Sequence, residues 1–204
     1  MENVIIGGGC FWCTEGVMNG LKGVLEVSPG YCGGHVENPT YEQVCRKKTG
    51  HAEVVRVVWN KNEIDISDLL KMFWECHNPT QKNRQGNDVG SQYRSSIYYT
   101  NKNKKYIIQS SKEEYQRELN KKSLGLIETE IKMIDTYYYA EDYHQQYLAI
   151  EGSRQYCSAS PTKVKLGSFN GSNYKLNNKI WENFNWEVDK CVLISDNKPI
   201  KNNN

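Results

Sequence analysis

Apolar and polar positions follow two different periods along the first 150 residues of the chain. Short runs of branched and aromatic residues predict strands, whereas apolar residues that recur every three or four positions predict helices. The predicted strands are residues 4–6, 24–27, 51–59, 92–99 and 127–134. The predicted helices are residues 14–21, 41–47, 67–76, 103–121 and 142–150. Because strands and helices interleave, the pattern indicates an α/β or α+β fold.

Two segments between these elements are rich in turn-forming residues. Residues 28–34 predict a turn, and residues 82–91 predict a long polar loop, which in a compact domain is often functional. Thr40 and Gln43 have the spacing of a capping box at the start of the second helix. Ser67 is the predicted N-cap of the third.

The composition changes near the C-terminus. From Ser168 onward the chain is rich in Asn, Lys and Ser, with scattered aromatic residues at Trp181, Phe184 and Trp186. We therefore expect one catalytic domain over residues 1–167 and a coil-rich extension over residues 168–204. The extension would pack on the domain or trail from it.

Charge and hydropathy exclude several classes of protein. The net charge of +2 is spread over 26 basic and 24 acidic residues, so there is no basic stripe for nucleic acid. No apolar stretch approaches the roughly 20 residues of a membrane span, and the N-terminal apolar run is too short for a signal peptide. We expect a cytoplasmic protein. The seven cysteines, an odd number, do not suggest a secreted disulfide framework and fit reduced, partly functional thiols better.

The most informative motif is Gly9-Cys10-Phe11-Trp12-Cys13, which lies at a predicted strand-to-helix junction. The free N–H groups and partial positive charge of a helix N-terminus favour a thiolate, so Cys10 is a candidate nucleophile. Phe11 and Trp12 would form an aromatic wall beside it. The alternative is that both cysteines are small buried apolar residues.

Glu53, at the start of an apolar strand, is the candidate acid. A carboxyl group desolvated against aromatic residues has a raised pKa and can hold a proton for delivery. The alternatives are a solvated charge at the end of the strand, or a cysteine–histidine dyad. Such a dyad would use one of the four histidines, but no motif places an orienting Asn or Asp beside any of them: His35, His51, His77 and His144.

Several motifs together resemble a known family. They occur in order along residues 3–160: Gly9-Cys10-Phe11-Trp12, Gly30-Tyr31 with Gly33-Gly34, Asn38-Pro39-Thr40-Tyr41, Thr49-Gly50-His51-Ala52-Glu53, Gln85-Gly86-Asn87-Asp88, Gln92-Tyr93-Arg94-Ser95, and the block that begins Tyr139-Ala140-Glu141 and ends Gln145-Gln146-Tyr147. The chain thereby resembles the A-type peptide methionine sulfoxide reductases. The resemblance implies a mixed central sheet with flanking helices in a two-layer α/β sandwich. It also implies reduction of the S epimer of methionine sulfoxide, free or protein-bound, with thioredoxin as reductant. We further expect a monomer without cofactor or metal.

The resemblance also implies roles for individual residues. Cys10 would attack the sulfoxide sulfur while Glu53 protonates the sulfoxide oxygen. Tyr41 and Tyr93 would donate hydrogen bonds to the same oxygen.

The substrate-binding residues follow from the same motifs. Phe11 and Trp12 would hold the S-methyl group of the substrate. Asp88 would bind the substrate backbone or fix its own loop.

Oxygen transfer leaves Cys10 as a sulfenic acid, which a second thiol must resolve to a disulfide. Cys157 stands where members of the family commonly carry a recycling cysteine and is the predicted resolving thiol. Cys13, in a Cys-x-x-Cys pair with Cys10, is the alternative. A relay through Cys191 is not expected. In many family members a glycine-rich segment and a second cysteine follow the recycling cysteine closely, and both are missing after Cys157 here. Three cysteines are interpreted as structural: Cys32, Cys45 and Cys76.

Two other functional classes stay open at this point. A thioredoxin-like disulfide oxidoreductase would use Cys10 and Cys13, but it leaves Glu53, Asp88 and Tyr93 without a role. A zinc-binding module would need a second closely spaced ligand pair. The adjacent Cys76 and His77 do not provide one.

Overall fold

A mixed sheet of six strands lies at the centre of the computed structural model, which describes residues 1–153 and 157–176. The strands in the described part of the chain, in order, are β1 (Glu2–Gly7), β2 (Val24–Cys32), β3 (Ala52–Trp59), β4 (Arg84–Gln85), β5 (Asp88–Val89), β6 (Ser96–Tyr99), β7 (Glu130–Met133) and β8 (Tyr138–Tyr139). The central sheet has the order β7-β6-β1-β3-β2-β8, and β4 pairs with β5 as a separate hairpin. All pairs in the sheet are antiparallel except β6 with β7. The mixed sheet confirms the predicted fold class.

Residues 1–153 and 157–176 contain four α-helices: α1 (Phe11–Asn19), α2 (Tyr41–Cys45), α3 (Ile66–Cys76) and α4 (Lys104–Lys121). The α1 helix packs on β2 and β3, and α3 packs on α1 and α4. The main core lies between these elements, where Met18, Val57 and Phe73 are fully buried. Within the described residues, none of the helices has the length and apolarity that a membrane span requires.

A smaller apolar cluster covers the opposite face of the sheet. Alternate residues of β3 point to opposite faces, so Val55 and Val57 join the main core while Val54 joins Ile5 and Tyr98 in the second cluster. Burial on both faces explains why apolar residues occupy adjacent positions on either side of Arg56 in β3, and it places Glu53 inside the protein at the entrance of this strand.

Several predicted boundaries are wrong at turns that the tertiary structure overrides. The α1 helix begins at Phe11, three residues before the predicted start, so that Cys10 is its N-cap residue. The predicted turn at residues 28–34 is largely strand, because β2 continues to Cys32 between β3 and β8. Asp65, rather than Ser67, is the N-cap of α3.

The predicted helix at residues 142–150 is also wrong. Two single 3₁₀ turns, Asp142–His144 and Tyr147–Ala149, take its place. Gln146 between them is left-handed, with φ 53°, and its N–H donates to the buried carboxylate of Glu15 instead of to a helical carbonyl. A distant side chain therefore ends the helical pattern of this segment.

The described part of the C-terminal segment packs on α3. The N–H groups of Lys175 and Leu176 donate to the buried carboxylate of Asp68, and Phe169 and Leu176 belong to the main core. The division of the chain at residue 167 stays a prediction, and the aromatic residues at 181, 184 and 186 lie outside the described residues.

Candidate active site

A cavity of about 380 Å³ opens at the N-terminus of α1. It is lined by the seven residues that the sequence analysis assigned to catalysis and substrate binding: Cys10, Phe11, Trp12, Tyr41, Glu53, Asp88 and Tyr93. They come from α1, α2, β3, the β4–β5 hairpin and the turn that follows it. The fold thus brings separate motifs of the sequence to one place.

The glycines before Cys10 allow the chain to pass from β1 into α1. Gly9 has φ +104°, and a Cβ atom there would lie 2.8 Å from the side chain of Gln85, so a larger residue is excluded twice. Cys10 follows as the N-cap residue and is 7% exposed. The nucleophile is therefore held by a turn that only glycine fits.

Opposing effects set the pKa of Cys10. The hydrogen bond with the Cys13 thiol and then burial raise the pKa of Cys10 well above its ordinary value. The N–H groups of Trp12 and Cys13 act in the opposite direction, as expected at a helix N-terminus, but they do not outweigh the other two effects. The helix N-terminus therefore favours the thiolate as expected, while the contact with Cys13 and burial hold the pKa of Cys10 above its ordinary value.

Glu53 is the buried acid of the site. It is 1% exposed; its Oε2 accepts the Phe11 N–H at 3.2 Å, and no described group donates to its buried Oε1. Burial, followed by the electrostatic interaction with Cys10, raises the pKa of Glu53 well above its ordinary value, although the Phe11 N–H opposes this. The interpretation of Glu53 as a proton-holding carboxyl group is supported, and the solvated strand-end alternative is wrong.

Two tyrosine hydroxyls face the same cavity. Tyr41 is the first residue of α2, where the predicted capping box of Thr40 and Gln43 is formed. Burial and then the proximity of Glu53 raise the pKa of both Tyr41 and Tyr93. Both hydroxyls therefore keep their protons and can act as hydrogen-bond donors. The Tyr41 hydroxyl also hydrogen-bonds the Cys45 thiol, which places this cysteine beside the site.

Two residues without a predicted role, His144 and Tyr147, support the aromatic wall by contacting Trp12. The indole Nε1–H of Trp12 donates to His144 Nδ1 at 3.2 Å, and the Trp12 ring stacks on Tyr147 with 3.9 Å between ring centroids. Burial lowers the pKa of His144, which agrees with a neutral ring that accepts at Nδ1. The sequence contains the relevant signal, the aromatic block at residues 139–147. A helix over residues 142–150 does not predict which of its side chains point inward.

Glu141 connects three elements around the site. Its Oε1 accepts the Tyr41 N–H at 2.8 Å and its Oε2 accepts the Tyr31 hydroxyl at 2.8 Å. Burial alone would raise the pKa of Glu141. Its hydrogen bonds, among them those from Tyr41 and Tyr31, outweigh burial and lower the pKa, so Glu141 is ionised. This carboxylate fixes the start of α2, and with it Tyr41, against β2.

Asp88 contacts the segment that follows Cys157. The Ser158 hydroxyl donates a hydrogen bond to Asp88 Oδ2, and the Ser160 N–H donates to Gln85 Oε1 at 3.1 Å. Residues 158–160 therefore lie along the β4–β5 hairpin. These hydrogen bonds connect the cavity residue Asp88 to the segment that follows the predicted resolving residue, Cys157.

The thiols are in two states. Cys10 and Cys13 are outside any disulfide, and so are the three cysteines interpreted as structural, Cys32, Cys45 and Cys76. Cys157 is disulfide-bonded and half-buried against the main core. Cys191 lies outside the described residues, so the identity of the resolving thiol stays a prediction.

Comparisons with known proteins agree with this geometry. The family model "Peptide methionine sulfoxide reductase" matches residues 2–175. The mitochondrial peptide methionine sulfoxide reductase of Mus musculus is 51% identical over 163 residues, which are 80% of this chain and 70% of the relative. Among solved structures, methionine sulfoxide reductase A of Corynebacterium diphtheriae is 36% identical with a TM-score of 0.67, covering 78% of this chain and 82% of that one. Mxr1 of Saccharomyces cerevisiae in reduced form is 30% identical with a TM-score of 0.69, covering 82% and 92%.

Proposed function

Because the chain belongs to the peptide methionine sulfoxide reductase family, we propose that it reduces the S epimer of methionine sulfoxide with Cys10 as nucleophile and Glu53 as acid. The observation that carries this assignment is the hydrogen bond between Glu53 Oε2 and the N–H of Phe11. This bond holds a buried, protonated carboxyl group against the peptide unit that joins Cys10 to Phe11, and therefore close to the candidate nucleophile.

The proposed reaction transfers one oxygen atom from sulfoxide to thiol. The sulfur of Cys10 attacks the sulfoxide sulfur while the proton of Glu53 moves to the sulfoxide oxygen. This attack forms a sulfur–sulfur bond. The hydroxyl group then passes from the substrate sulfur to the Cys10 sulfur, and the sulfur–sulfur bond breaks with its electron pair on the substrate, which leaves as a thioether while Cys10 becomes a sulfenic acid. The proton lost by the Cys10 thiol replaces the one that Glu53 gave, so sulfoxide and thiol yield thioether and sulfenic acid with atoms and electrons balanced. The raised pKa values of Cys10 and Glu53 keep both protons in the site until the substrate arrives.

The tyrosines would stabilise the oxygen during this step. Tyr41 and Tyr93 keep their protons and line the same cavity as Glu53. Donors that are already oriented toward a developing charge lower the barrier without reorganisation. Tyr41 would exchange its hydrogen bond with Cys45 for one with the sulfoxide oxygen.

Substrate binding would use the remaining walls. Phe11 and Trp12 present apolar ring surface suited to an S-methyl group. The Asp88 carboxylate can accept a hydrogen bond from the substrate backbone once it exchanges its bond with Ser158.

Recycling would follow in two steps. The reduced thiol of Cys157 condenses with the sulfenic acid to form a disulfide and water, and a dithiol reductant of the thioredoxin type then reduces that disulfide. The yeast protein Mxr1 has been crystallised in complex with Trx2. Cys13 stays the alternative resolving thiol, because it already contacts Cys10.

A reductase assay on separated S and R epimers tests the proposal, with dithiothreitol and then with thioredoxin as reductant. We expect turnover of the S epimer only, and complete loss in Cys10→Ser, because oxygen is a poor nucleophile toward sulfur. Cys76→Ser is the matched control, since Cys76 is a buried thiol on α3 outside the cavity. Turnover by the Cys10→Ser variant, or preference for the R epimer, would contradict the assignment.

A further inference from the structure

Glu15 is a buried carboxyl group for which the proposed mechanism has no role. It lies one turn after Trp12 on α1 and is 2% exposed. Its Oε1 accepts the N–H of Gln146 at 2.7 Å, a hydrogen bond between residues 131 positions apart. Burying a carboxyl group costs free energy, and here the group accepts a hydrogen bond from a distant backbone amide. We therefore infer that the position of this amide matters.

The amide in question belongs to a strained residue. Gln146 has φ 53°, a left-handed conformation that is unfavourable for a residue with a side chain. Gln146 separates the two 3₁₀ turns. His144, before it in the chain, accepts the hydrogen bond of the Trp12 indole, and Tyr147, after it, stacks on the Trp12 ring. Without the bond to Glu15, relaxation of Gln146 toward a negative φ would turn these two side chains relative to each other.

We propose that Glu15 is a positioning residue for the methyl pocket: by holding Gln146 left-handed, it fixes His144 and Tyr147 against Trp12 and thereby sets the size of the pocket. The inference rests on the proposed role of Phe11 and Trp12 as the walls that hold the S-methyl group. The connection then runs from Glu15 to the N–H of Gln146, and through the neighbouring residues His144 and Tyr147 to the Trp12 ring.

A second cavity supports this arrangement. A volume of about 260 Å³ adjoins the carboxyl group and is lined by Glu15, Asn19, Gln146, Leu148 and Ala149. It leaves room for the segment at 146–149 to move when its anchor is removed. Burial raises the pKa of Glu15 to about 7, and both the ionised and the protonated group can accept the Gln146 N–H.

The test is the selectivity between methyl and ethyl sulfoxides. The S epimers of methionine sulfoxide and ethionine sulfoxide differ by one methylene, and a fixed pocket discriminates such a pair by about 10-fold or more in kcat/KM. We expect Glu15→Ala to reduce this ratio by about 5-fold or more and to raise KM for methionine sulfoxide, since small displacements of a positioned group are costly. Glu15→Gln keeps an acceptor for the Gln146 N–H and should restore the ratio to near the wild-type value.

Three further variants make the outcome decisive. Asn19→Ala is the matched control, on the same helix and the same cavity, and should keep the wild-type ratio. Should Glu15→Ala not fold, Glu15→Asp withdraws the carboxylate by one methylene and takes its place with the same expected loss. Trp12→Ala separates the two hypotheses: if it leaves the ratio unchanged, the methyl-pocket assignment fails. If Trp12→Ala alters the ratio while a folded Glu15→Ala or Glu15→Asp variant keeps it, the role of Glu15 is overturned.

Discussion

The backbone N–H of Phe11 donates a 3.2 Å hydrogen bond to Oε2 of Glu53, which lies 42 residues further along the chain. The same peptide unit begins at Cys10, so one hydrogen bond sets the distance between the candidate nucleophile and the candidate acid. The other oxygen of Glu53 is buried and receives no hydrogen bond from any described group. A sulfoxide oxygen would therefore meet an oriented carboxyl group whose second oxygen has no competing partner.

Replacement of Glu53 by Gln removes the transferable proton and preserves the shape of the side chain. Because general acid catalysis typically contributes about 10²- to 10⁴-fold, we expect kcat to fall by that order with KM changed only a few-fold. Steady-state kinetics with S-methionine sulfoxide and dithiothreitol measure the two constants. Thermal unfolding of the variant serves as control, since Gln can still accept the Phe11 N–H. An unchanged kcat would remove Glu53 from the acid role.

The sequence predicted the residues of the cavity better than it predicted their electrostatics. The glycine turn before Cys10 and the buried strand after Glu53 are local patterns, and they place both residues correctly. The pKa of Cys10 also depends on the contact with Cys13 and on burial, and neither follows from a helix N-terminus alone. Local sequence patterns predict the position of a residue in a strand or helix, whereas the pKa of its side chain depends on all the groups that surround it in the fold.

The aromatic wall shows a second limit of local patterns. The segment at 142–150 has a helical pattern, but the bond from the Gln146 N–H to Glu15 breaks it. In the same way, Gly30 lies in β2 because Val54 and Tyr139 pair with it on both sides. In both cases a partner from another part of the chain overrides the propensity of the segment.

Ser158 competes with the substrate for Asp88. Its hydroxyl already donates to the carboxylate that is proposed to bind the substrate backbone, so this bond must break when a peptide binds. A hydrogen bond contributes about 0.5–1.5 kcal/mol net, and we therefore expect Ser158→Ala to lower KM for a methionine sulfoxide peptide by about 2- to 10-fold. Kinetics with an acetylated, amidated peptide measure this effect.

The controls for this prediction lie in the same segment. Ser160→Ala should leave KM unchanged, because Ser160 contacts the hairpin through its backbone N–H. Asp88→Ala should raise KM. If Asp88→Ala raises KM and Ser158→Ala does not lower it, the competition does not exist.

The buried carboxyl group of Glu15 makes folding stability depend on pH. Burial raises its pKa from the ordinary 4.5 to about 7, so the folded protein favours the protonated form. The associated stability is fully present below pH 4.5 and is lost as the pH rises through about 7, an effect on the order of 3 kcal/mol. Glu15→Gln cannot ionise, and its free energy of unfolding should exceed that of the wild type at pH 8 and approach it at pH 5. Urea unfolding at the two pH values measures the difference, and the prediction fails if this difference is the same at both.

The disulfide formed after one turnover identifies the resolving thiol. Fully reduced protein, treated with S-methionine sulfoxide in the absence of reductant, should accumulate a disulfide between Cys10 and Cys157, which peptide mapping by mass spectrometry locates. Cys157→Ser should stop after one product per enzyme, with Cys10 trapped as a sulfenic acid that dimedone labels. Cys32→Ser is the control, because Cys32 is buried in the second apolar cluster. A disulfide between Cys10 and Cys13, with continued turnover in Cys157→Ser, would assign the resolving role to Cys13, which contacts Cys10 in the structure.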